Sequence, residues 1–128
     1  MMNLLLDTCA LVWLGMGEGG LSVAARRRIE SAPTLFYSSI SAWELARLAK
    51  EEKIEIHVDV EDFLSDLVVR YDLVSIPVSD EISIASAKLP DFHKDPADRI
   101  IVATAILRNL IVVTGDGKFS QYGVKTLC

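Results

Sequence analysis

Four carboxylates, Asp7, Glu44, Asp98 and Asp116, stand where acids are costly or conspicuous. Asp7 follows Leu4-Leu5-Leu6 without a gap, and Asp116 follows Ile111-Val112-Val113 within Thr114-Gly115-Asp116-Gly117-Lys118. In open parallel sheets ligands bind beyond the carboxyl ends of the strands, so acids that follow strands are candidates for one shared site. Glu44 belongs to a helical stripe with Ile40 and Leu48, and an acid in an apolar stripe is expensive to bury unless it is paired or bound to a metal. Asp98 lies in His93-Lys94-Asp95-Pro96-Ala97-Asp98-Arg99, at the third position of a helix that carries almost no charge until Arg108. Oxygen donors of this kind suit hard cations, Mg²⁺ or Mn²⁺. The two histidines, His57 and His93, are too few for a zinc site of histidines and cysteines.

Each acid also has an ordinary structural explanation. Asp7 suits a helix cap or turn, and Gly-Asp-Gly around Asp116 is common turn chemistry. Arg47, three residues after Glu44, is a ready ion-pair partner. Asp95 is a natural N-cap with Pro96 at the first helical position, and Asp98 then falls in the first turn, where the helix dipole favours an acid. Residue types and spacing leave the two explanations side by side.

The elements that must position these acids alternate in type. Strands are expected at 3–6, 34–37, 73–78 and 110–113, with a fifth over 124–127. Helices are expected from about residue 10 to 14, over 22–32 with Ser22 as cap, from the serines at 38–41 to about residue 52, and over 60–71, 80–87 and 95–109. Gly15, Gly17, Gly19 and Gly20 mark a break after the first helix. Short strands that are apolar on both faces, alternating with helices, indicate a parallel sheet covered by helices on both faces, the α/β class. No repeat or linker divides the chain, so residues 1–128 are expected to form one domain.

Composition narrows the function classes. An apolar share of 51% is enough for a real core and argues against disorder. The apolar runs are far shorter than the roughly 20 residues that span a bilayer, and Asp7 interrupts any secretion-signal core. Cys9 and Cys128 form no redox-type or metal-type pair, so free thiols in a reducing cytoplasm are expected. The net charge of −5 runs against the basic excess usual in proteins that grip phosphates. Cations gathered by the acids reverse that sign locally. Arg26-Arg27-Arg28, Arg47, Lys50, Lys53, Lys94 and Arg99 are candidate phosphate contacts, although each also fits a solvated helix face.

Taken in order, the motifs resemble those of the PIN-domain ribonucleases, and among them the VapC toxins of bacterial toxin–antitoxin systems. Leu5-Leu6-Asp7-Thr8, Ser38-Ser39-Ile40-Ser41-Ala42-Trp43-Glu44, Asp95-Pro96-Ala97-Asp98-Arg99 and Val112-Val113-Thr114-Gly115-Asp116 resemble the four acidic motifs of that family over nearly the whole length. The resemblance implies a PIN domain over residues 1–128 and a metal-binding, catalytic quartet of Asp7, Glu44, Asp98 and Asp116. It selects Asp98 over Asp95. It implies supporting positions at Thr8, Thr114, Asp95 and Arg99. Ala97 and Cys9 depart from the common pattern without removing a ligand. The same resemblance implies Mg²⁺- or Mn²⁺-dependent hydrolysis of RNA, a homodimer and a cognate VapB-like antitoxin, and the short apolar runs imply no association with membranes.

Two other readings compete. A receiver-like or phosphoryl-transfer domain also uses an aspartate after the first strand with Mg²⁺, here with Thr114 and Lys118. It needs a second aspartate at a central strand end, for which Asp80 is the candidate, and it leaves Glu44 and Asp98 without a role. The other is a PIN-fold binding module without activity.

Overall fold

The computed structural model describes residues 3–17 and 19–128. Its framework is a five-stranded, all-parallel sheet in the order β3-β2-β1-β4-β5. The strands are β1 (Leu4–Leu6), β2 (Leu35–Ser38), β3 (Leu73–Ile76), β4 (Ile111–Val113) and β5 (Thr126–Leu127). β1 is central and registers Leu4, Leu5 and Leu6 against Leu35, Phe36 and Tyr37 on one side and against Ile111, Val112 and Val113 on the other. Its three leucines are fully buried, as expected of a strand covered on both faces.

The alternation of side chains along β1 divides the core. Leu4 and Leu6 face a layer made by α1 (Thr8–Met16), α2 (Val23–Ser31), α3 (Ile40–Lys50) and α4 (Val60–Tyr71). Leu5 faces the opposite layer, made by α5 (Asp80–Lys88), α6 (Pro96–Arg108) and a 3₁₀ turn (Phe119–Tyr122). Fully buried Leu11, Leu45 and Leu67 fill the first layer, and Ile101, Val102 and Phe119 fill the second. The layered α/β architecture expected from the strand–helix alternation is therefore the one adopted, with helices on both faces.

Local chemistry sets the element ends. Asp7, Ser22, Ser79 and Asp95 each occupy an N-cap and accept a hydrogen bond from an amide of the first turn. Asp72 and Asn109 end α4 and α6 in the left-handed conformation, with φ of 53° and 54°. The three serines around the start of α3 divide their labour. Ser38 Oγ accepts from the Ile40 amide, Ser39 Oγ from the Val78 amide, and Ser41 Oγ turns to the Thr8 hydroxyl. Ser39, at the N-cap, makes no side-chain bond to its own helix. The edge strand β3 is shorter than the apolar run suggests, because Pro77 cannot donate to a ladder. Among the described residues no helix is long and apolar enough to cross a membrane.

Candidate active site

Every strand of the sheet runs the same way, so the segments after β1 and β4 emerge at one edge. Asp7 and Thr114 are the first residues beyond the paired positions of β1 and β4, and the Asp7 amide donates to the Val113 carbonyl at 3.1 Å. α3 begins just after β2 at the same edge and carries Glu44 one turn in. α6 presents its N-terminus there with Asp95 and Asp98. The result is a cleft of about 370 Å³ lined by Asp7, Thr8, Glu44, Asp95 and Asp98, with Trp13 and Ile54 among its apolar walls. Asp116 borders this acidic group from the β4 side.

The carboxylates are aimed by short, local hydrogen bonds. One oxygen of Asp7 caps α1 through the Ala10 amide at 2.8 Å, and Thr114 hydrogen-bonds the same carboxylate. One oxygen of Asp95 accepts from the Ala97 amide at 3.0 Å, and Oδ1 of Asp116 accepts from the Lys118 amide at 2.9 Å. Thr114 Oγ1 also accepts from the Asp116 amide at 3.0 Å, so this hydroxyl couples the first and fourth motifs. Thr8 donates to Glu44 Oε1 and is 2.9 Å from Ser41 Oγ. The only proton of Thr8 goes to the carboxylate, so Ser41 is the donor to Thr8. The cap or turn role of Asp7, Asp95 and Asp116 thus leaves carboxylate lone pairs available for another task.

The electrostatics are those of acids gathered without sufficient positive charge. Asp98 and two other acids, Glu44 and Asp95, have carboxylate oxygens within 4.8 Å of one another. Burial, then the charges of Asp95, Glu44, Asp7 and Asp116, push the Asp98 carboxyl up to about 8. Burial pushes Asp7 up to about 6, against the hydrogen bonds from Thr114 and Ala10. Glu44 is raised as well, chiefly by burial. Asp116 differs: burial works against its charge, but hydrogen bonds from the Lys118 amide and His93 hold it below the usual carboxylate range. Arg47, the expected partner of Glu44, is 3.8 Å away and is shared with Glu51 at 3.5 Å. Cys9 lies beside the cleft with its thiol pushed up to about 11 by burial and then by the neighbouring acids, so it is no nucleophile.

The structure brings Asp7, Glu44, Asp98 and Asp116 into one neighbourhood, and Asp95 with them. Arg99 is turned elsewhere. Its guanidinium donates to the carbonyls of Ser86 and Leu89 at 2.9 and 2.8 Å through Nη2, and of Pro90 and His93 at 3.0 and 3.1 Å through Nη1. It closes the end of α5 and ties down the loop that leads to α6. Sequence reading missed Ser41 and His93. His93 is buried, with Nε2 2.8 Å from Asp116 Oδ2 and 3.0 Å from Asp98 Oδ2. Its only signal was its place beside Lys94-Asp95-Pro96, since a search for zinc ligands discounts a lone histidine.

The PIN domain family model matches residues 4–125. The chain belongs to the PIN-domain family. Among relatives of this PIN domain, Ribonuclease VapC22 of Mycobacterium tuberculosis is 36% identical over 123 residues, 95% of this chain and 93% of that protein. Among solved structures, VapBC2 of Rickettsia felis bound to a DNA fragment from its promoter superposes with a TM-score of 0.72 at 20% identity, covering 98% of this chain and 97% of that one. The DNA-bound VapBC of Salmonella typhimurium gives 0.71 at 19% identity, covering 98% and 97%. At those identities the two structures speak for the fold of the PIN domain, and the α/β sandwich described above is that fold.

Proposed function

We propose that this chain, acting as one PIN domain over residues 1–128, is a metal-dependent endoribonuclease and the toxin member of a VapBC-type toxin–antitoxin pair. The observation that carries the proposal is the convergence of Asp7, Glu44, Asp95 and Asp98 on one cleft, bordered by Asp116, in a chain 36% identical to Ribonuclease VapC22. Asp7, Glu44, Asp98 and Asp116 are the residues assigned to cation binding and catalysis. The donor set fits a divalent cation on two counts. It is built of carboxylate oxygens, which suit Mg²⁺ or Mn²⁺. Three of the four are raised, Asp7 to about 6 and Asp98 to about 8, as expected of a site short of positive charge. A divalent cation there supplies Lewis-acid polarisation of a phosphodiester and offsets the charge that develops as the P–O bond breaks.

The protein's own contribution is arrangement. Thr8, itself held by Ser41, orients Glu44, and Thr114 orients Asp7 together with the Asp116 turn. Arg99 fixes the loop that delivers His93 and the start of α6. Trp13 and Ile54 form part of the apolar wall of the cleft. Asp80, the second acid required by a receiver-like reading, is exposed and follows the edge strand β3, two strands from Asp7. The partners that accompany this reading are an RNA substrate, a VapB-like antitoxin and a second copy of the chain. RNA incubated with the purified protein and Mn²⁺ or Mg²⁺ should be cut. Asp7→Asn and Asp98→Asn should abolish cutting while the fold is retained. Cleavage at the parent rate by both variants, or in excess chelator, refutes the assignment.

A further inference from the structure

The acids do not account for His93, whose ring is buried in the site by contacts on every polar atom. Its amide donates to the Tyr122 hydroxyl at 2.8 Å, and Tyr122 in turn donates to the Pro90 carbonyl at 2.8 Å. Its carbonyl accepts from Arg99 at 3.1 Å. Its ring stands edge-on to Phe119, with centroids 6.0 Å apart. The ring nitrogens have different jobs. Nδ1 accepts a hydrogen bond from the Asp95 amide at 3.1 Å. A backbone N–H can only donate, so Nδ1 carries a lone pair and the ring proton is on Nε2. Nε2 lies 2.8 Å from Asp116 Oδ2 and 3.0 Å from Asp98 Oδ2.

From this geometry we infer that His93 is a positioning residue for the acidic site: an Nε2–H donor that holds the Asp116 carboxylate beside Asp98, and not a metal ligand or a general base. A nitrogen that carries a proton has no lone pair for a cation, so the compact group His93, Asp98 and Asp116 is not a three-ligand metal site, although its atoms are close enough for one. The inference rests on the metal-site reading above and deepens it. With Oδ1 accepting from the Lys118 amide and Oδ2 from His93, Asp116 is fixed at both oxygens and keeps one lone pair on each for a cation. Asp98 has no hydrogen-bond donor of its own among the described residues: the single Nε2 proton goes to Asp116, and Asp98 Oδ2 lies 3.0 Å from the same nitrogen. Donors behind ligating carboxylates typically change metal affinity by about 10–100-fold when removed. The Arg99 and Tyr122 contacts then acquire a purpose, since both grip the backbone of His93 and set the height of its ring over the two acids.

The test uses the full chain. Long-range ¹H–¹⁵N correlation spectra of the imidazole, recorded with chelator and with Mg²⁺, should show the Nε2–H form in both. Mn²⁺ titration by calorimetry should give a dissociation constant about 10-fold or more higher for His93→Leu, with His93→Gln, which retains a donor near Nε2, recovering most of the loss. A thermal midpoint measured in chelator for each variant separates lost folding from lost binding, and the Gln variant serves if the Leu variant does not fold. An Nδ1–H form, loss of the Nε2 proton on adding Mg²⁺, or parent affinity in His93→Leu would overturn the inference while leaving the metal site standing. A parent that binds neither Mn²⁺ nor Mg²⁺ overturns the metal-site reading, and the positioning role falls with it.

Discussion

Replacing Asp98 with asparagine should stabilise the metal-free protein while removing its response to divalent cations. The carboxyl of Asp98 sits at about 8 in the folded chain against an ordinary value of 3.8. Between those values the folded state holds a proton that the unfolded state has released, so stability falls as the pH rises from about 4 to about 8. At about 1.36 kcal/mol per pKa unit, the full cost of charging this group is at most about 6 kcal/mol. The side chain is 20% exposed, water in the cleft screens it, and four neighbouring acids share the same repulsion. A gain of roughly 1–3 kcal/mol for Asp98→Asn at pH 8 is therefore the expectation, a rise in thermal midpoint of about 4–12 °C for a chain of this size. The assay is thermal unfolding followed by circular dichroism at pH 6 and pH 8, in chelator and in excess Mn²⁺. In chelator the variant should gain most at pH 8. In Mn²⁺ the parent should rise and the variant should not, because ligand binding stabilises only the form that binds. A variant no more stable than the parent at pH 8 in chelator would show that Asp98 carries no buried, crowded charge.

Other perturbations bear on the same arrangement. Mn²⁺ binding to the parent should release protons and tighten from pH 6 to pH 8, because Asp7 and Asp98 must give up protons to bind; calorimetry in buffers of different ionisation enthalpy reads this directly. Thr8→Val removes the donor to Glu44 and orphans Ser41, and should lower RNA cleavage about 10-fold or more with little change in the far-ultraviolet spectrum. Arg99→Lys loses the planar fork that serves five carbonyls and should cost roughly 1–3 kcal/mol in urea unfolding. Gly15→Ala drives a methyl to within 2.3 Å of the Phe63 ring and should cost about 1–3 kcal/mol by the same measurement.

What was legible in the sequence follows from range. α4 runs over Val60–Tyr71, as its amphipathic pattern indicates, and the caps at Ser22 and Asp95 are where serine and aspartate precede apolar repeats. These features are set by neighbours a few residues apart. Where β3 ends is partly local, since Pro77 cannot donate to the ladder, and partly distant, since its last pair, Ile76 with Ser38, is set by a partner 38 residues away. The site divides in the same way. Asp7 and Asp116 were visible because strands announce the acids that follow them. Ser41 was hidden because its use depends on Thr8, 33 residues earlier, and His93 because its partner Asp116 lies 23 residues later. Arg99 resembled a phosphate contact by type alone; its five carbonyl partners exist only once α5 and α6 pack.

The structural and functional explanations of these acids are one device, and this resolves the puzzle of the acidic charge. A cap or turn bond holds one oxygen of Asp7, Asp95 and Asp116 against a backbone amide, which fixes where the carboxylate points without neutralising it. Thr8 does the same for Glu44. A fold that merely needed caps at these ends had serine available, as at Ser22 and Ser79, where the cap lies outside the acidic cleft. Serine would cap as well and carry no charge. Aspartate at Asp7 and Asp95 instead accepts desolvation and mutual repulsion, visible in the raised Asp7 and Asp98 carboxyls. On the proposed reading a cation in the cleft would offset that cost. On the proposed reading the net charge of −5 does not oppose nucleic acid: part of it belongs to the cation site, and a phosphate backbone would meet the ions and not the bare carboxylates.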